Sequence, residues 1–117
     1  MTKGILKNKS YEFAIEIVRL SQNLVNEKRE YVLSKQLLRS GTAIGALIRE
    51  AEFAQSSKDF INKMSIALKE ASETLYWLDL LKDTNYISVA IYEQLYSICK
   101  ELVAMLVSSV KTTKSKL

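Results

Sequence analysis

Residues 33–81 read LSKQLLRSGTAIGALIREAEFAQSSKDFINKMSIALKEASETLYWLDLL, and the reading of this stretch decides the fold. Apolar residues recur every three or four positions on both sides of the polar break Gln55-Ser56-Ser57, which predicts two helices joined by a short hinge. In the first, spanning 34–54 with Ser34 as N-cap, Leu37, Ile44, Leu47, Ile48, Ala51 and Gln55 form the core stripe. Gly41 and Gly45 are four apart and each costs a helix about 1 kcal/mol relative to alanine, a cost that points to close packing of another helix. The second helix spans 57–83. Ser56 and Asp59 have capping-box spacing, with Ser57 an equally good cap, and Phe60, Met64, Ala67, Leu68, Ala71, Leu75 and Leu78 make its stripe.

Working outward, Ser10 is a natural N-cap for a helix over 10–26 with Ala14, Ile17, Val18, Ser21, Leu24 and Val25 on one side. On the C-terminal side Ser88 caps a helix over 88–110, with Ile91, Leu95, Ile98, Cys99, Leu102 and Leu106 inward and an apolar arc wide enough to make it the most enclosed element. Residues 1–9 and 111–117 read as flexible basic tails. There is no proline and there are three glycines in 117 residues, which removes most turn punctuation. The expectation is one all-α domain over 1–117, an antiparallel up-down-up-down four-helix bundle.

The net charge of +4 is unevenly placed. Each tail carries three lysines and no acid, while residues 10–110 hold eleven basic and thirteen acidic side chains. The body is therefore close to neutral, and the basic character of the whole does not imply a nucleic-acid-binding surface on it. Cys99 has no partner for a disulfide, no apolar run approaches the ~20 residues of a membrane span, and MTKGILKNKS lacks a signal peptide's apolar region. These features predict a soluble cytoplasmic protein without membrane association.

Catalytic equipment is missing from the pattern. The absence of histidine excludes a His-based triad and the Glu-x-x-His motif of di-iron bundles, and with one cysteine it disfavours zinc. Cys99 lies on an apolar stripe and reads as an inert core thiol. Glu70 and Glu73 share a side of their helix but face away from its core, and no phosphate-binding loop or nucleotide fingerprint occurs. No enzyme activity, metal, cofactor or small-molecule substrate is expected.

The outward sides carry more information. At about 100° per residue, Ile66, Trp77 and Leu80 fall nearly opposite the core stripe of the third helix, beside Glu70 and Glu73. The second helix presents Arg39, Thr42, Ala46, Arg49 and Phe53 on its outer side. Aromatics and arginine are enriched at subunit interfaces, so these ten residues form a candidate contact between copies, its basic and acidic sides meeting head to tail. An alternative is a nucleic-acid-binding accessory protein working through Lys28, Arg29, Lys35, Arg39, Arg49 and the tails.

The motifs Gln36-Leu37-x-Arg39-Ser40-Gly41-Thr42-x-Ile44-Gly45, Arg49-Glu50-Ala51, Ser57-Lys58-x-Phe60 and Ile66-Ala67-x-Lys69-Glu70-Ala71-x-Glu73-Thr74-x-x-Trp77-Leu78 cover nearly half the chain. In them the sequence resembles the four-helix-bundle family encoded by intervening sequences within bacterial 23S rRNA genes. The resemblance implies a homopentameric ring and kinship with the accessory variability protein of diversity-generating retroelements, which is similar in fold and works with a reverse transcriptase and RNA; the leading expectation is an oligomeric scaffold or adaptor that binds a protein or RNA partner. It implies no enzymatic activity.

Overall fold

Apolar stripes with a three-four repeat leave a chain one economical arrangement, helices packed side by side around a common seam. The computed structural model describes residues 2–117, with side chains from Gly4 onward. It consists of α1 (Thr2–Lys28), α2 (Leu33–Ala51), α3 (Ser57–Asp83) and α4 (Val89–Ser115), with no strand among the described residues. The helices run up, down, up and down, and the bundle measures 48 × 21 × 20 Å.

The outer helices are longer than their sequence suggests. Ser10 does not start α1; it lies within the helix, buried, its Oγ donating to the carbonyl of Lys7 at 3.0 Å. The buried stripe is Leu6, Ser10, Phe13, Ile17, Leu20 and Leu24, an alternating four-three spacing that continues into the supposed tail. Residues 2–9 are thus helical, whereas Met1 lies outside the described residues. The stripe is turned relative to expectation: Ile17, Ser21 and Leu24 are buried, Ala14 and Val25 sit at its margin, and Val18 is exposed. At the other end α4 continues past 110 to Ser115 because Val110 prolongs the line Leu95, Cys99, Leu102, Leu106. Ile91, expected inside, is exposed.

The starts of α2, α3 and α4 each have a specific donor-acceptor solution. Ser56 caps α3, its Oγ accepting from Asp59 N–H at 3.0 Å, while the Asp59 carboxylate accepts from Gln55 N–H at 3.2 Å. Ser88 caps α4 by accepting from Ile91 N–H at 3.2 Å. Ser34 does not cap α2. The Glu30 carboxylate does so from four residues upstream, accepting from the N–H groups of Val32, Leu33 and Ser34 at 3.2, 3.0 and 2.6 Å. Ser34 is instead buried, with its hydroxyl donating to the Glu30 carbonyl at 2.7 Å. Gln55, read as the last core position of this helix, lies beyond its end and is exposed. Asn85 turns the chain out of α3 with φ 67°, and Tyr86 N–H closes on Leu81 O at 2.9 Å.

Neighbouring helices are held in register by small and polar residues as well as by the core. A Cβ on Gly41 would stand 2.8 Å from Ile17 Cγ2, and one on Gly45 would stand 3.3 Å from Ser10 O. The two glycines therefore let α2 press onto α1. Between α2 and α3 the buried Ser40 and Thr74 hydroxyls are 2.9 Å apart. Tyr92 of α4 donates to Asp79 of α3 at 2.5 Å, and this bond, with burial, pushes the phenol up to about 12. Helices α1 and α4 meet over the sparsest seam, tied by Lys9–Glu101 at 3.1 Å. The helix with the widest apolar arc is therefore not the most enclosed, because α4 packs fully on one neighbour only.

Candidate assembly face

The ten residues proposed from sequence as a contact surface do not share one environment. Arg39 reaches across to α3 within its own chain, pairing with Glu70 at 3.3 Å and with Glu73. The hydrogen bond to Glu73 and the charge of Glu70 raise the Arg39 guanidinium above its usual value. The Trp77 indole donates to Glu73 at 3.2 Å; this bond, followed by Arg39, outweighs burial and holds the Glu73 carboxyl below its ordinary range. The expected meeting of basic and acidic sides thus occurs inside one bundle. Trp77 and Leu80 are half-buried rather than opposite the core, because α2 and α4 flank α3 more closely than a projection of a lone helix shows.

What stays outward is a ridge on α2. Thr42, Ala46 and Arg49 run along it, and Phe53 stands in the turn that follows, 82% exposed. Arg49 lies over the Tyr11 ring of α1 at 5.0 Å, and Tyr11, Ala14, Thr42, Gly45, Ala46 and Arg49 line a shallow depression. Leu38 and, on α3, Ile66 are exposed at the flanks. Tyr11 and Leu38 were not singled out from sequence. Their signal was available: Tyr11 sits two positions before the buried Phe13, so it points away from the core once α1 is extended.

The basic residues divide in the same way. Lys28, Arg29 and Lys35 cluster at the α1–α2 connection, where Arg29 takes φ 57°. Arg39 is occupied by two carboxylates, and Arg49 lies fourteen residues beyond Lys35, about 21 Å along the helix. They do not make one patch.

Two concave regions accompany the ridge. Along the α1–α4 seam, depressions of about 360 and 250 Å³ share Glu16, Arg19 and Gln94 over a floor that includes Phe13 and Leu95. A cavity of about 240 Å³, lined by Leu6, Ile48, Phe60 and Met64 and by hydroxyls of α4, lies near the pole where α2 ends. Cys99 is fully buried, its thiol pushed up to about 12 by burial, and no group of three acidic or cysteine side chains able to hold a metal occurs among the described residues. No helix among them is long and apolar enough to cross a membrane.

Against known proteins, a family model described as 23S rRNA-intervening sequence protein matches residues 3–108. The chain belongs to this family. A solved structure agrees: a crystal structure of a protein with unknown function from the S23 ribosomal protein family, from Bacteroides thetaiotaomicron, is 56% identical. It superposes with a TM-score of 0.94, covering 95% of this chain and 99% of that one. No protein with a curated functional description matches. In this family member the motifs that carried the resemblance map onto α2 and α3, where Gly41 and Gly45 set the α1 contact and Arg39, Glu70 and Glu73 form the cross-helix pair.

Proposed function

We propose that this 23S rRNA-intervening sequence protein is a non-enzymatic, cytoplasmic homo-oligomeric scaffold or adaptor, binding a protein or RNA partner as an assembled ring. The observation that carries this reading is the uncovered α2 ridge, with Phe53 82% exposed in a chain whose other large core-type residues are mostly sheltered. Exposed aromatic and arginine side chains interleaved with small residues have the composition of an interface centre. A pentamer is the state implied by the family resemblance. Thr42, Ala46, Arg49, Phe53 and Ile66 are its proposed contact residues, and the remaining five hold that face in shape.

Light scattering at micromolar concentration tests the reading. The expected mass is a multiple of the 13.3 kDa chain, and Phe53→Glu shifts it toward the monomer with helicity unchanged. A wild-type chain that runs as a clean monomer removes the reading. For a nucleic-acid partner the division of the basic residues weighs against a single phosphate-binding surface. An RNA affinity that falls steeply between low and physiological salt would reinstate it.

A further inference from the structure

The ridge supplies one half of a contact, and the fold carries a second half that matches it. We infer that the α2 ridge of one copy seats in the α1–α4 groove of the next copy, so that assembly is head to tail, with Arg49 against Glu12 and Phe53 against Ile5. This rests on the oligomeric reading and adds which surfaces meet.

Length, height and charge argue for this occupant. The ridge runs fifteen residue steps from Leu38 to Phe53, about 22 Å, and the groove-side stripe of α1 runs fourteen from Ile5 to Arg19, about 21 Å. A closed ring has no translation along its axis. With the axis parallel to the bundle, each ridge residue therefore meets the groove at its own height. The internal register fixes those heights: Gly45 faces Ser10, Gly41 faces Ile17, and the Arg49 guanidinium lies over Tyr11. Arg49 consequently arrives beside Glu12, the next residue along α1, which lies on the wall of the groove. Neither has an opposite-charge partner within 4.0 Å among the described residues of its own chain. Phe53, in the turn after α2, arrives near the start of α1, where Ile5 is 57% exposed on the same side of that helix as Lys9, Glu12 and Glu16. Two strongly exposed apolar side chains of this pole are thereby covered together. The open α1–α4 seam, the most loosely packed in the bundle, becomes the receiving surface.

Charge reversal distinguishes this contact from others. Arg49→Glu and Glu12→Arg, each prepared in the full chain, are expected to raise the apparent dissociation constant at least about tenfold. Combining both reversals in one chain is expected to restore assembly, because every ridge then offers the charge that its neighbour's groove lacks. An unfolded variant would be seen by circular dichroism. In that event the pair Thr42→Cys and Gln94→Cys, placed in separate chains, gives the same answer: they form an intermolecular disulfide on oxidation, against a silent background because Cys99 is buried. A wild-type oligomer that neither reversal weakens, a double variant that does not reassociate, or absence of the Thr42–Gln94 cross-link overturns this pairing while leaving oligomerisation standing. A monomeric wild type overturns both.

Discussion

Glu30 shows how much a single side chain can decide. Burial alone would push its carboxyl up, but three backbone N–H groups at the start of α2 outweigh this and hold it below its usual 4.5. Its folded value is depressed, so the stabilisation is present above about pH 4.5 and is lost as pH falls through the folded value. Glu30→Gln should lower stability at neutral pH by about 1–2 kcal/mol, as loss of a helix cap does. It should also flatten the decline below pH 4.5, measured by denaturant titration across pH 3–7. A wild-type slope retained in the variant would assign the acid sensitivity to other carboxylates, Glu73 foremost. The sequence did not announce this role. Glu30 closes a charged run, Asn26 to Glu30, that reads as a solvated connection, and Ser34 offered a more conventional cap. Its function became legible only when the chain turned back through Arg29 and aimed the carboxylate at the helix start.

At the scale of helices, the glycine pair makes a graded prediction. Gly41→Ala drives a methyl into the β-branched, fully buried Ile17, which cannot swing aside. Overpacking of about 1–3 kcal/mol outweighs the ~1 kcal/mol gained in helix propensity, so chemical denaturation should show a net loss. Gly45→Ala meets Ser10 at a looser distance and should fall within about 0.5 kcal/mol of wild type. The extension of α1 is tested by Leu6→Ala, which should cost about 2–5 kcal/mol, as for any buried leucine. A truly flexible N-terminal segment would lose nothing. The four helices, the cap at Ser88, the pair Ser56 and Ser57 as the alternatives for the α3 cap, and the reason for the glycines were readable from spacing alone. The outer ends of α1 and α4 were not, because lysines and asparagine diluted the apolar repeat to one residue per turn, Leu6 at one end and Val110 at the other. The candidate contact face was half legible: Thr42, Ala46, Arg49 and Phe53 of the exposed α2 ridge were named and Leu38 was not, and the partners of Arg39 required two helices to be placed side by side.

For the molecule as a whole, the core runs unbroken from Leu6 to Leu24 on α1 and through all four helices. Cys99 lies in that core, its thiol pushed up to about 12 and its Sγ 3.5 Å from the Ala71 carbonyl. Its modification by an aromatic disulfide reagent should therefore require opening of the bundle, with a rate that follows global unfolding as denaturant is added. Fast labelling in native buffer would show that α4 opens by itself.

The order of the seams also bears on how the chain finds its structure. The three dense contacts, α1 with α2, α2 with α3 and α3 with α4, each join helices adjacent along the chain; the fourth joins the chain's two extremes and is the sparsest. Little loop entropy stands against the first three, so the bundle is set to form quickly as overlapping hairpins. The docking of α1 on α4 then comes last and rests on the fewest contacts.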